Sequence, residues 1–110
     1  MKNLKCVIVG YGRMGNLYHK ILKELNCSNI YIITKPTKDK NKKNKNFFKD
    51  LKSFKKNNSK VDLAIISTTA DSHKYYVDQF AYIKTKFIMV EKPISNSIIN
   101  INKMIKICAQ

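Results

Sequence analysis

The stretch VIVGYGRMGNLYHKIL, residues 7–22, decides the fold of this chain. Three glycines, Gly10, Gly12 and Gly15, stand in the spacing GxGxxG between an apolar strand-like run and a segment with helical periodicity. There Gly10 permits a tight turn, Gly12 lets a pyrophosphate approach the backbone, and Gly15 lets the helix pack close to the strand. The pattern therefore predicts a dinucleotide-binding turn, with an ordinary strand-to-helix turn as the alternative.

The start of the helix that follows the glycines also favours phosphate binding. Its first N–H groups have no partner within the helix, and the helix dipole places partial positive charge at the same end. Arg13 lies in this first turn and adds a full positive charge, and Tyr11 and Met14 complete the segment between the glycines. All six residues from 10 to 15 are candidate cofactor-binding residues.

Apolar runs and helical patterns alternate along the rest of the chain. Segments that read as strands are Leu4–Val9, Ile30–Thr34, Phe47–Phe48, Val61–Ser67 and Phe87–Val90; segments that read as helices are Arg13–Leu25, Leu51–Phe54, Ser72–Ile83 and Ser95–Ala109. The lysine- and asparagine-rich residues 35–46 read as a loop. Near-continuous apolar strands alternating with helices predict an α/β fold, a Rossmann-type doubly wound parallel sheet of about five strands.

Composition bounds the class of protein. The 110 residues suffice for one domain, and no run approaches the length of a membrane span. Three cysteines without metal-ligand or CxxC spacing favour reduced thiols in a cytoplasmic protein and give no metal site.

The net charge of +15 raises the possibility of a nucleic-acid partner. However, Arg13 is the only arginine among the 22 basic residues, and the lysines are spread along the whole chain. Nucleic-acid readers generally use the arginine fork for base and phosphate contacts. The charge is therefore interpreted as compositional bias, and neither a nucleic-acid nor a membrane partner is expected.

The end of the second strand bears on the choice of cofactor. NAD sites usually carry an acidic residue there, about 20 positions after the glycine turn, to bind the ribose diol. This chain has Thr34 and Lys35 instead. A lysine suits the 2′-phosphate of NADP, although lysine is too common in this chain for one residue to weigh much. The sequence leaves NAD and NADP open, with a slight preference for NADP.

Three segments taken together resemble one protein family. VIVGYGRMG, VDLAIISTTADSHKYYV and FIMVEKPIS occur in this order and at plausible spacing. They resemble the N-terminal domain of glucose–fructose oxidoreductase, inositol dehydrogenase and related (Gfo/Idh/MocA) oxidoreductases. The resemblance covers most of the chain and implies an NAD(P)-binding Rossmann domain of an enzyme that oxidises a sugar, a polyol or a similar hydroxyl compound.

The resemblance also implies roles for individual residues. Lys92, in the EKP segment, would lie beside the nicotinamide and take part in proton transfer; a surface turn is the alternative. His73 would approach a cofactor ribose, or would be a polar residue at a helix start without a ligand. With these, the candidate cofactor-binding residues are Gly10, Tyr11, Gly12, Arg13, Met14, Gly15, Thr34, Lys35, Ser67, Thr68, Thr69, His73, Glu91, Lys92 and Pro93.

Two features depart from the family pattern. Thr69 stands where the family usually has a proline, and residue 110 precedes the sixth strand and the antiparallel-sheet domain that supplies the substrate pocket. The chain is therefore expected to be a single, truncated dinucleotide-binding domain, an N-terminal fragment or one part of a split enzyme, and to be inactive alone. It would leave the edge of its fifth strand open to an oligomer or another partner. The alternative is a stand-alone nucleotide sensor or a decayed enzyme without catalysis.

Overall fold

The computed structural model describes residues 3–35, 46–92 and 98–108. The elements, in chain order, are β1 (Lys5–Val9), α1 (Arg13–Glu24), β2 (Asn29–Ile33), β3 (Phe47–Phe48), α2 (Leu51–Lys55), β4 (Leu63–Ile66), a 3₁₀ turn (Ala70–Ser72), α3 (His73–Tyr82), β5 (Phe87–Val90) and α4 (Ile98–Cys108). None of the helices in the described residues has the length and hydropathy that crossing a bilayer requires.

All strand pairs in the sheet are parallel, and the strand order is β3-β2-β1-β4-β5. The chain winds outward from β1 to β3, then returns to the other side of β1 and winds outward again to β5. This order confirms the predicted Rossmann-type sheet. The winding direction reverses between β1 and β4, where open α/β sheets bind their ligands beyond the carboxyl ends of the strands.

Successive residues of β1 face opposite sides of the sheet. Val7 and Val9 join a buried cluster with residues of α2, α3 and α4, whereas Cys6 and Ile8 join a second cluster that includes Leu22 of α1. All four of these β1 side chains are fully buried. Buried on both faces, β1 reads as a continuous apolar run, as expected of a central parallel strand.

The fifth strand is less well covered. β5 lies at the edge of the described sheet, and its residues pair one to one with β4, Leu63 with Phe87 and Ile65 with Met89. Phe87 and Met89, on the α1 side, are 70% and 39% exposed. Ile88 is half-buried under α3 and α4 on the other side. The open, apolar edge expected from the sequence is thus present among the described residues.

Most element boundaries differ from the predicted ones by one or two residues. The fourth strand is predicted from Val61, but the ladder with β1 begins at Leu63. Asp62 lies just before this ladder. Its carboxylate accepts a 2.8 Å hydrogen bond from the backbone N–H of Lys5, the first residue of β1. The predicted loop at 35–46 and both ends of the predicted last helix fall largely outside the described residues.

Helix α1 packs unusually close to the first strand. A Cβ atom placed on Gly15 would lie 2.1 Å from the carbonyl oxygen of Gly10 and 2.9 Å from its carbonyl carbon. Both atoms belong to the backbone and cannot rotate away. A Cβ atom on Gly12, in contrast, would meet no heavy atom of the described residues within 4 Å, its chain neighbours aside.

Gly15→Ala should therefore destabilise the chain far more than Gly12→Ala. We expect Gly15→Ala to cost at least ~2 kcal/mol, because the helix must move away from β1, and to lower the melting temperature by roughly 8 °C or more. Gly12→Ala should cost less than ~1 kcal/mol. Thermal unfolding followed by circular dichroism measures both, and equal melting temperatures would contradict this packing.

Candidate dinucleotide-binding site

The glycine turn is fixed to the two strands beside β1. The N–H of Gly10 donates to the carbonyl of Ile33, at the end of β2, at 2.8 Å. Across the crevice, the N–H of Ser67 donates to the carbonyl of Val9 at 2.9 Å. The Ser67 hydroxyl lies 2.9 Å from the same carbonyl oxygen and 3.1 Å from that of Gly10. These hydrogen bonds connect the glycine turn to the loop after β4.

Gly10 is required by its conformation as well as by its surroundings. Its φ of +91° lies in the left-handed region, which residues with a Cβ rarely adopt. A Cβ atom there would also lie 3.0 Å from the Thr68 side chain and 3.1 Å from the Ser67 backbone. Sequence and structure therefore agree on the role of the first glycine.

Gly12 leaves the space above the turn open. It is the N-cap residue of α1 and is exposed, and no side chain caps the helix there. The Asn16 side-chain amide donates to the carbonyls of Tyr11 and Gly12, at 2.9 and 2.8 Å. These bonds hold the carbonyls of the turn, while the N–H groups of the first helical turn remain available to an anion. Sequence reasoning missed Asn16, although a polar residue in the first turn of the helix was visible.

Two predicted residues of the turn flank this opening. Arg13 is exposed, and Met14 is half-buried. Both line a surface groove of about 810 Å³ that runs along α1 from the turn to Lys23. A groove of similar volume, about 800 Å³, lies elsewhere, beside Lys84 and Lys86 ahead of β5. Since ligands bind at the carboxyl ends of the strands, the opening at the turn is the candidate.

The side chain of Tyr11 contacts both α1 and β3. Its hydroxyl is 2.7 Å from His19 Nδ1, and its ring meets the ring of Phe47 edge-on, with centroids 5.1 Å apart. Burial raises the pKa of Tyr11, and burial followed by the charge of Lys23 lowers the pKa of His19. A neutral His19 can accept a hydrogen bond from the Tyr11 hydroxyl. The contacts of Tyr11 with His19 and Phe47 therefore connect the turn to α1 and β3.

The residues predicted to select the cofactor lie at the end of β2. The N–H of Thr34 donates to the carbonyl of Phe48 at 2.9 Å, which extends the pairing with β3 by one residue. Thr34 is half-buried and Lys35 is exposed. The described part of this strand end carries no carboxylate.

The loop after β4 is held by its own polar groups. His73 is fully buried, and its Nε2 lies 2.8 Å from the carbonyl oxygen of Thr68. The Ser72 hydroxyl is 2.6 Å from the Thr68 hydroxyl and 2.8 Å from the carbonyl of Thr69. The His73 ring thus helps to fix the conformation of this loop. A direct contact between His73 and a cofactor stays a prediction.

The end of β5 brings the EKP segment to the same edge of the sheet. The N–H of Glu91 donates to the carbonyl of Ile66 at 2.9 Å and so continues the β4–β5 ladder. The Glu91 carboxylate accepts a hydrogen bond from the Tyr18 hydroxyl on α1 and is 3.4 Å from the backbone nitrogen of Lys92. The Lys92 side chain is exposed, and Pro93 lies outside the described residues.

The structure thus places the described candidate groups, which are all of them except Pro93, at the carboxyl ends of the strands, on either side of the reversal point. Tyr18 was missed as a site residue because its spacing on α1 is that of the apolar face. Within the described residues, no group of three or more His, Cys, Asp and Glu residues is arranged to hold a metal ion.

The fold resembles solved oxidoreductase structures. D-galactose-1-dehydrogenase from Rhizobium etli superposes with a TM-score of 0.79 at 12% identity, over 99% of this chain and 35% of that one. An NAD-binding protein from Listeria innocua gives 0.77 at 19% identity, over 98% and 33%. The WlbA dehydrogenase from Chromobacterium violaceum, solved with NADH and UDP-GlcNAcA, gives 0.74 at 15% identity, over 99% and 33%.

This chain spans about a third of the length of these solved proteins. At such low identity the superpositions establish the fold alone, and no curated protein matches the sequence significantly. The family comparison is more specific. A model described as "Oxidoreductase family, NAD-binding Rossmann fold" matches residues 4–110, which is nearly the whole chain. The chain therefore belongs to the Gfo/Idh/MocA oxidoreductase family and corresponds to its NAD-binding Rossmann domain.

Proposed function

We propose that this chain binds a nicotinamide dinucleotide at the Gly10–Gly15 turn and serves as the cofactor-binding part of a sugar or polyol oxidoreductase. The observation that carries the proposal is the open space over Gly12, beside helix N–H groups that no side chain caps. A pyrophosphate placed there would gain the hydrogen bonds and the helix dipole together. The three free cysteines fit the cytoplasmic location that we propose for it.

Gly12→Val should abolish dinucleotide binding without unfolding the chain. Its side chain would occupy the open space that the pyrophosphate needs, whereas no described residue beyond its chain neighbours lies within 4 Å of the added Cβ. Calorimetric titration of parent and variant with NAD and NADP measures the effect, and thermal unfolding verifies that the variant is folded. A folded Gly12→Val chain that binds either dinucleotide as tightly as the parent would show that the site lies elsewhere.

We propose NADP as the slightly favoured cofactor, because the strand end after β2 offers an exposed Lys35 and a half-buried Thr34 but no acid. An acid at this point would hold the ribose diol of NAD and repel the 2′-phosphate of NADP. NAD is the alternative, and the NADH bound in the structure of the similarly folded WlbA dehydrogenase supports it.

Lys35→Glu should shift the preference toward NAD. We expect the ratio of NADP to NAD affinity to fall about tenfold, the effect of losing one charge-assisted contact with the phosphate. Lys56→Glu is the matched control, since Lys56 is also exposed but follows α2. An unchanged ratio in Lys35→Glu, or an equal change in both variants, would show that Lys35 does not select the cofactor.

For catalysis we propose Lys92 as the acid/base group. The oxidised dinucleotide, when bound, would supply the hydride acceptor for the substrate carbon, and the neutral amine of Lys92 would take the proton of the substrate hydroxyl. The exposed Lys92 lies at the end of β5, on the cofactor side of the sheet. Nothing among the described residues encloses a substrate beside it, and the solved relatives are about three times longer. We therefore propose that turnover requires further protein, which would also cover Phe87 and Met89.

The 110-residue chain alone should turn over no sugar or polyol. Near-attack positioning of the substrate contributes roughly 7–11 kcal/mol to catalysis, and an exposed lysine cannot supply it. Absorbance of NADH or NADPH reports turnover against a panel of sugars and polyols, with Lys92→Ala assayed in parallel. Robust activity of the parent chain that Lys92→Ala removes would show that these residues suffice.

A further inference from the structure

A hydrogen bond joins the two ends of the candidate site directly. Tyr18 lies three residues after Gly15 on α1, and its hydroxyl donates to Glu91 Oε2 at the end of β5, 73 positions later in the chain. The Tyr18 ring packs, half-buried, against the apolar cluster between α1 and the sheet. The ring packing accounts for an aromatic residue at this position, whereas the hydroxyl has a separate partner.

The hydrogen bond from Tyr18 holds the side chain of Glu91, a residue whose backbone is also held. The Glu91 N–H continues the ladder to Ile66, and Glu91 Oε1 is 3.4 Å from the backbone nitrogen of Lys92. Both ends of the Glu91 residue are therefore anchored, the main chain by β4 and the side chain by Tyr18. The next residue is Lys92, which therefore follows directly on a residue that is anchored at both its main chain and its side chain.

The protonation state of Tyr18 suits this task. The hydrogen bond to Glu91 raises the pKa of Tyr18, with burial and the negative charge of Glu91 acting in the same direction. The hydroxyl therefore keeps its proton at neutral pH and remains a donor.

We propose that Tyr18 is a positioning residue, whose hydroxyl holds the Glu91 carboxylate and thereby sets the Glu91–Lys92 strand end relative to the glycine turn. This inference rests on the proposed function, because Lys92 matters only if a dinucleotide occupies the crevice. Tyr18 acts through Glu91 and does not itself contact the cofactor.

The test compares NADH with ADP-ribose, which shares the pyrophosphate but lacks the nicotinamide ring. Affinities for both are measured by calorimetry for the parent, Tyr18→Phe, Glu91→Ala and the double variant. Tyr82→Phe is the matched control, because Tyr82 is 80% exposed and lies at the end of α3. We expect Tyr18→Phe to weaken NADH binding about tenfold, as for a lost hydrogen bond to a charged group, and to change ADP-ribose binding less than about twofold. In the Glu91→Ala background it should have no further effect.

Some outcomes contradict the positioning role while leaving the dinucleotide site in place. These are equal losses for NADH and ADP-ribose in Tyr18→Phe, effects of Tyr18→Phe and Glu91→Ala that add, or no effect beyond that of Tyr82→Phe. A parent chain that binds neither of these ligands nor NADPH would contradict the proposed function, and this inference with it.

A measurement without any ligand tests the contact by itself. Tyrosine ionisation is followed by ultraviolet absorbance during alkaline titration. Glu91→Ala should lower the midpoint of one tyrosine in the parent chain and of none in the Tyr18→Phe background. An identical titration with and without Glu91 would show that the contact does not form in solution, which overturns the inference whatever the dinucleotide does.

Discussion

The close approach of α1 to β1 is the constraint on which the rest of the site depends. The 2.1 Å between a Cβ on Gly15 and the Gly10 carbonyl oxygen means that only a glycine permits this distance. The approach places the first turn of α1 directly above the carboxyl end of the central strand. A helix displaced by the width of one methyl group would carry its N–H groups away from the crevice, and its dipole would act on an anion from farther away.

The loop after β4 completes this arrangement from the other side. The Ser67 hydroxyl bonds the Gly10 carbonyl, and a Cβ atom on Gly10 would lie 3.0 Å from the Thr68 side chain, so the turn cannot move without moving the loop. The loop in turn is held by the buried His73, whose ring bonds the Thr68 carbonyl. A buried imidazole that satisfies a backbone carbonyl stabilises the loop in one conformation, since an unpaired carbonyl there would be costly. A polar residue inside α3 thus supports the shape of a surface crevice.

Features that depend on one backbone position could be predicted from the sequence, and features that depend on a distant partner could not. The glycine spacing located the turn because a positive φ at Gly10 and the absence of a Cβ at Gly15 are local requirements. Apolar runs located the strands for a similar reason. The helical periodicity, however, assigned Tyr18 to the core without indicating that its hydroxyl reaches Glu91. Likewise, nothing in the residues around His73 distinguished a ligand from a buried support.

The two halves of the candidate site differ in how far the described residues alone support them. The phosphate-binding half stands on β1, β2 and β4, which contribute to a buried apolar cluster on each face of the sheet. The Glu91–Lys92 end stands on the edge strand, where Phe87 and Met89 are open to solvent. Among the described residues, Glu91 is hydrogen-bonded to Ile66 of β4 through its backbone N–H and to Tyr18 of α1 through its carboxylate. The proposed binding of the dinucleotide and its proposed use in catalysis therefore make different demands on this chain. The first would depend on the packed Rossmann core, whereas the second would depend on an edge strand whose end is held against that core.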